Sequence, residues 1–184
     1  MKSTTTIYQV FIHLTIVVLA AEVYILSAQN RKLKNPEPFV VDTLKVGDNF
    51  SFSEIEPVKQ SDRLDSSRAM VIVVFTTICP YCHENLAVWG KVAEVIEPEG
   101  TPMVGISLSS METTRQYVDE NSIKFAVFVA RDSKSFGKKN HVATVPQTLF
   151  ISSHGMVARI WRGKMSGEKA SEVVVAISEN YQLH

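Results

Sequence analysis

The chain has 184 residues, 19 basic against 19 acidic side chains, 45% hydrophobic residues and two cysteines. That length suits one domain, or one domain with an appendage, and the hydrophobic content excludes a disordered tail. Zero net charge argues against a nucleic-acid partner, and two cysteines exclude a disulfide-dense scaffold or a cysteine-only four-ligand zinc site.

The charge is unevenly placed. Residues 1–35 hold Lys2, Arg31, Lys32 and Lys34 against Glu22, a net +3, so the remainder carries −3. After a tail at 1–6, the run Ile7 to Ala28 has no proline or glycine and would make a helix about 33 Å long, enough to cross a bilayer core. His13 and Glu22 interrupt its apolar character, and Glu22 sits within snorkelling reach of the polar end at Gln29-Asn30-Arg31-Lys32. We expect a transmembrane anchor over 7–30. A cleavable signal peptide, with Val18-Leu19-Ala20 as its cleavage site, is the second reading. A buried amphipathic helix is the third, and no recurring polar face supports it. Positive charge after the span would, taken alone, leave the following domain in the cytoplasm.

Residues 31–37 read as a linker, because Asn35-Pro36-Glu37-Pro38 is stiff and breaks helices. One domain is expected over 38–184. Met70 to Phe75 is a β-branched run that predicts a strand buried on both faces. Residues 80–96 predict a helix with Leu86, Trp89, Val92, Ala93 and Ile96 inward, ended by Pro98. A strand over 102–108 and a helix over 111–121, capped by Ser109 or Ser110, come next. A strand over 125–129 and a short helix over 133–140 follow. Strands over 148–151 and 156–161 flank Ser153-His154-Gly155 as a hairpin. A last helix over 166–182 turns Ala170, Val173, Val174 and Ile177 inward. The pattern is an α/β sandwich with a central mixed sheet.

The cysteines fall in Cys79-Pro80-Tyr81-Cys82, between the first strand and its helix. Cys79 is then the helix N-cap and Pro80 occupies the first helical position, where its missing N–H is harmless. Free amides and the helix dipole favour a thiolate at Cys79. Cys82, one turn on, shares its face and can bridge to it. Cys79 would attack a substrate and Cys82 would resolve the mixed disulfide. Cys79-x-x-Cys82-His83 also spells a haem attachment motif, but a strand leads into it. A zinc site would need two histidines, and His141 and His154 lack paired spacing. An inert disulfide would close too short a loop to stabilise much. The redox dithiol leads these readings, with no metal and no cofactor. His83 reads first as a solvated helix residue; the alternative is an imidazolium supporting the Cys79 thiolate.

Four segments together resemble the thioredoxin-fold proteins of the membrane-anchored TlpA/ResA-like branch and, more distantly, MauD-like redoxins. They are Val46-Gly47-Asp48-Asn49-Phe50, Phe75 to Cys82, Val145-Pro146-Gln147-Thr148-Leu149-Phe150-Ile151, and Ser153-His154-Gly155 with Val157. The resemblance covers residues 38–182. It implies a thioredoxin-like sandwich and a thiol–disulfide oxidoreductase facing an extracytoplasmic space such as the periplasm. Its usual settings are cytochrome c maturation and the folding of secreted enzymes. Its partners would be protein thiols and disulfides, plus a redox partner that supplies or accepts electrons. It makes Pro146 a cis-proline facing the dithiol, and it leaves the Val145 backbone free to pair with a substrate lying across Pro80 and Tyr81.

The chain also departs from that family. Thr76 and Ile78 replace the usual tryptophans. Val73 and Asn85 stand where related proteins carry buried acids, which leaves Glu84 or water to serve Cys82. Thr76, His83 and Glu84 are therefore the candidate tuning residues. Two other functions compete. Thr76-x-x-Cys79 resembles part of the peroxiredoxin motif, although Ile72 replaces its proline, so a thiol peroxidase is one. A non-catalytic binding or chaperone module with the same fold is the other.

Overall fold

The computed structural model describes residues 13–27, 43–60, 62 and 64–181. The expected tail at 1–6, the linker at 31–37 and the domain start at 38 lie outside them. The chain divides into two compact units, Met1–Val40 and Val41–His184.

In the first unit residues 13–27 are helical (α1), and every one of them is exposed, Leu14, Ile16, Val17, Leu19 and Leu26 included. Among the described residues no helix is long and apolar enough to cross a membrane. The expected span of 7–30 runs past α1 at both ends, beyond the described residues.

The second unit is a six-stranded mixed sheet with helices on both faces. Its elements are β1 (Ile55–Pro57), β2 (Met70–Phe75), α2 (Pro80–Ile96), β3 (Met103–Ser107), α3 (Met111–Glu120), β4 (Ala126–Ala130), α4 (Ser133–Lys139), β5 (Gln147–Ile151), β6 (Val157–Arg162) and α5 (Gly167–Tyr181). The sheet order is β1-β4-β3-β2-β5-β6. β2, β3 and β4 run parallel; β5, β6 and β1 pair antiparallel. The predicted elements are all present, with ends moved by a residue or two. β1 was not anticipated, because three residues are too few to show a period. Its Pro57 is tolerated because β1 is an edge strand.

β2 is buried along its whole length, and alternate residues feed two cores. Val71, Val73 and Phe75 join Cys82, Trp89, Tyr117, Val173 and Ile177 on the face of α2, α3 and α5. Met70, Ile72 and Val74 join Leu44, Phe50 and Phe136 on the face of α4. α2 and α3 both pack on one face as the chain steps outward from β2 through β3 to β4, the arrangement that crossovers of one hand produce. α4 then covers the other face on the way back to β5, which pairs with the free side of β2.

Gly105 on β3 faces the first core with little room for a side chain. A Cβ there would lie 3.1 Å from Phe125, 3.2 Å from Phe75 and 3.2 Å from Val127. Gly105→Ala should therefore overpack the sheet and lower stability by roughly 1–3 kcal/mol, read as a lower denaturant midpoint at unchanged slope.

Candidate active site

β2 ends at Phe75 in the middle of the sheet, and the loop 76–78 leads from its C-terminal end into α2. A hydroxyl network fixes that loop. The Thr77 amide and hydroxyl both lie 3.0 Å from Ser109 Oγ, as donors. The Ser109 amide donates to Ser107 Oγ at 3.1 Å, and Ser107 Oγ pairs with Thr114 Oγ1 at 2.8 Å inside the core. Ser110, not Ser109, caps α3. Ser109 is used instead to hold the loop before Cys79.

Cys79 is the N-cap of α2 with extended backbone, and Pro80 follows at the first helical position. Its Sγ accepts the Cys82 amide at 3.3 Å, satisfying one of the donors that a helix start leaves open. The same sulfur lies 3.9 Å from the Val145 carbonyl oxygen. The Val145–Pro146 peptide bond is cis. The structure thus brings Cys79, Cys82, Val145 and Pro146 into one place. Both cysteines are free thiols; Cys79 is half-buried and Cys82 fully buried. Ile78 and Tyr81 form an exposed apolar rim around Cys79.

Burial pushes the Cys82 thiol up to about 12, the Cys79 side chain adds to the rise, and the Thr76 backbone partly opposes it. Thr76 therefore acts on the pair through its main chain. Glu84 is engaged elsewhere: its carboxylate lies 2.6 Å from Lys164 Nζ at the surface and raises that ammonium's affinity for its proton. His83 is exposed and lays its ring edge-on to Tyr117 with centroids 6.2 Å apart.

The structural roles of two residues are not visible in the sequence. Asn85 takes the place expected of Leu86 on the buried stripe of α2. Its Nδ2 donates to Gly163 O at 3.2 Å, and its Oδ1 accepts the Met165 amide at 2.8 Å. The Gly163 amide donates to Pro146 O at 2.9 Å. A second tie comes from Trp89 Nε1, which donates to Thr148 Oγ1 at 3.1 Å. A polar residue four before Trp89 was the available signal for the first. Tyr117 is the other: its ring packs 5.9 Å from Phe75, and its hydroxyl is buried.

Among the described residues no group of His, Cys, Asp and Glu side chains could hold a metal ion. The AhpC/TSA family model matches residues 44–160. A comparison with curated proteins found no match. MTB dsbF is 26% identical, over 60% of this chain and 81% of its own, with a TM-score of 0.52. A thiol-disulfide isomerase from Corynebacterium glutamicum is 18% identical over 74% of this chain and 96% of its own, with a TM-score of 0.57. The thioredoxin domain of a thiol-disulfide oxidoreductase from Bacteroides vulgatus is 11% identical over 73% and 98%, with a TM-score of 0.60. The fold is thioredoxin-like.

Two outcomes follow from this geometry. Asn85→Ala should cost roughly 2–4 kcal/mol in a denaturant melt, since Gly163 O and the Met165 amide lose buried partners together. The raised Cys82 thiol gives the reduced protein stability that is complete below the ordinary value of 9.0 and lost as pH climbs toward about 12. Melting reduced chain and Cys82→Ala across that window should show the larger loss in the first; the smaller loss left in the second comes from the Tyr117 hydroxyl, which burial also pushes up to about 12.

Proposed function

The chain belongs to the AhpC/TSA family, and we propose that it is a membrane-anchored thiol–disulfide oxidoreductase acting on extracytoplasmic protein substrates. One observation carries the reading: a half-buried Cys79 at a helix N-cap, 3.9 Å from the carbonyl that precedes a cis-proline, with a buried Cys82 behind it. A protein disulfide reaching Cys79 meets a sulfur close to helix amides. The Cys79 thiolate attacks one substrate sulfur, the substrate S–S bond breaks, and a mixed disulfide forms. Cys82 then loses its proton and attacks Cys79 Sγ. The Cys79–Cys82 bond forms, and the substrate leaves with both sulfurs reduced. In reverse, a substrate dithiol is oxidised. The exposed Ile78 and Tyr81 offer apolar contact around the attack point, and the Val145 backbone offers a main-chain partner to an extended segment.

The apolar run from Ile7 to Ala28 and the exposed aliphatic side chains of α1 support the anchor. The extracytoplasmic side rests on the family resemblance, against the literal charge count. A thiol peroxidase is the second reading, favoured by the family match and by Thr76 three residues before Cys79.

Cys82→Ser should accumulate mixed disulfides with host proteins, seen as reducible adducts on non-reducing gels, whereas Cys79→Ser should accumulate none. Insulin reduction by the wild-type chain should fall at least a hundredfold in Cys79→Ser. Peroxide consumption that survives Cys82→Ser without any adduct would move the assignment to the peroxidase. Removing residues 1–37 should release the protein from the membrane fraction; retention there would end the anchor reading.

A further inference from the structure

Cys79 follows a turn that its own residues are poorly suited to make. Thr76, Thr77, Ile78 and Cys79 form it, and the Cys79 amide closes it on Thr76 O at 3.4 Å. The turn holds no glycine, proline, asparagine or aspartate, and its first three residues are all β-branched and stiff. Ile78 cannot anchor it by packing, being 89% exposed. The hold comes from the neighbouring loop instead. Ser109 Oγ accepts both the Thr77 amide and the Thr77 hydroxyl, each at 3.0 Å, which fills its two lone pairs. Ser109 is fixed from below in turn. Its amide donates to Ser107 Oγ, and that hydroxyl pairs with Thr114 Oγ1, both side chains fully buried. The Leu108 amide donates to Phe75 O at 2.9 Å, so the two segments stay side by side up to the turn.

We propose that Ser109 is a positioning residue for the dithiol, whose hydroxyl oxygen holds the Thr76–Cys79 turn and thereby keeps Cys79 Sγ where Cys82 can close onto it. Ser109 touches neither sulfur and acts only through Thr77. The proposal rests on the oxidoreductase reading for its use, but not for its chemistry. Cys82 has no exposed surface and cannot move out to meet its partner, so the placing falls to Cys79. In the reduced chain Cys79 Sγ already sits on the Cys82 amide at 3.3 Å. When Cys79 carries a mixed disulfide, Cys82 loses its proton to solvent and attacks Cys79 Sγ. The Cys79–Cys82 bond forms, the bond to the carried thiol breaks, and that thiol leaves with the electron pair and takes up a proton. A turn that is held beforehand lets this closure proceed without first being ordered, which is how orientation raises an effective concentration. Without the Ser109 oxygen, the Thr77 amide and hydroxyl turn to water, and the ordering cost falls on closure.

The test is equilibration of the full chain in a glutathione buffer of fixed composition, quenched with acid and read by intact mass. The ratio of closed disulfide to Cys79–glutathione mixed disulfide reports the effective concentration of Cys82 at Cys79. Ser109→Ala should lower that ratio about tenfold, the size of one or two neutral hydrogen bonds. Ser109→Thr, which keeps the oxygen, should restore it to within a factor of two. Ser110→Ala removes the cap of α3 from the adjacent position and should lower stability while leaving the ratio unchanged. An unchanged ratio in a folded Ser109→Ala overturns the proposal, and so does an equal fall in Ser110→Ala. Should Ser109→Ala not fold, Thr77→Val removes the hydroxyl bond alone and should lower the ratio about threefold; no change there overturns the proposal as well. Glutathione oxidises the pair whatever the physiological substrate is. A tenfold fall in a chain that turns over no protein disulfide would therefore retire the function and keep Ser109.

Discussion

The Asn85 side chain donates to Gly163 and accepts from Met165, and Gly163 donates to the carbonyl of Pro146. Three segments distant in sequence thus meet through one buried amide: the helix bearing the cysteines, the loop after β6, and the turn carrying the cis-proline. Only a side chain with both a donor and an acceptor can make the two bonds. A carboxylate there could not donate to Gly163, and it would be a buried charge without a cation. Between the 163–165 loop and the first turns of α2 this amide is the buried polar link, and the Lys164–Glu84 ion pair joins the same two segments at the surface.

The same choice has a chemical cost. An amide cannot accept a proton from Cys82, and Val73 is aliphatic where an acid would have stood beneath the pair. Burial then dominates the behaviour of Cys82, and its thiol is pushed far up. The outer cysteine faces the opposite situation, half-exposed and close to a helix amide. Two sulfurs one turn apart are thereby made unequal by environment alone. One is placed to meet partners and the other to hold its proton until the first has reacted.

Much of this was legible in the residues. The β2 run, the Pro80 helix start and the heptapeptide at Val145 each carry strong local signals, and the Cys79–Cys82 pair with Pro146 emerged from them. What stayed hidden was long-range. Asn85 reads as a polar interruption until the 163–165 loop is seen against it. Tyr117 reads as one more residue of a polar helix, α3, because its burial is imposed by Phe75 and not by its own neighbours. β1 is invisible at three residues, since it is defined by pairing with β4. Ser109 reads as an alternative to Ser110 for the cap of α3, and only the fold reveals that its hydroxyl accepts from Thr77 instead.

The unequal exposure of the two sulfurs also makes the reduced chain its own folding gauge. An alkylating reagent can reach Cys79 in the native state, whereas Cys82, with no exposed surface, reacts only after the first turn of α2 or the whole domain opens. Intact-mass spectra would then separate singly from doubly modified molecules. The growth of the second adduct would time the opening of the α2 face of the sheet, with no dye, tag or added cysteine.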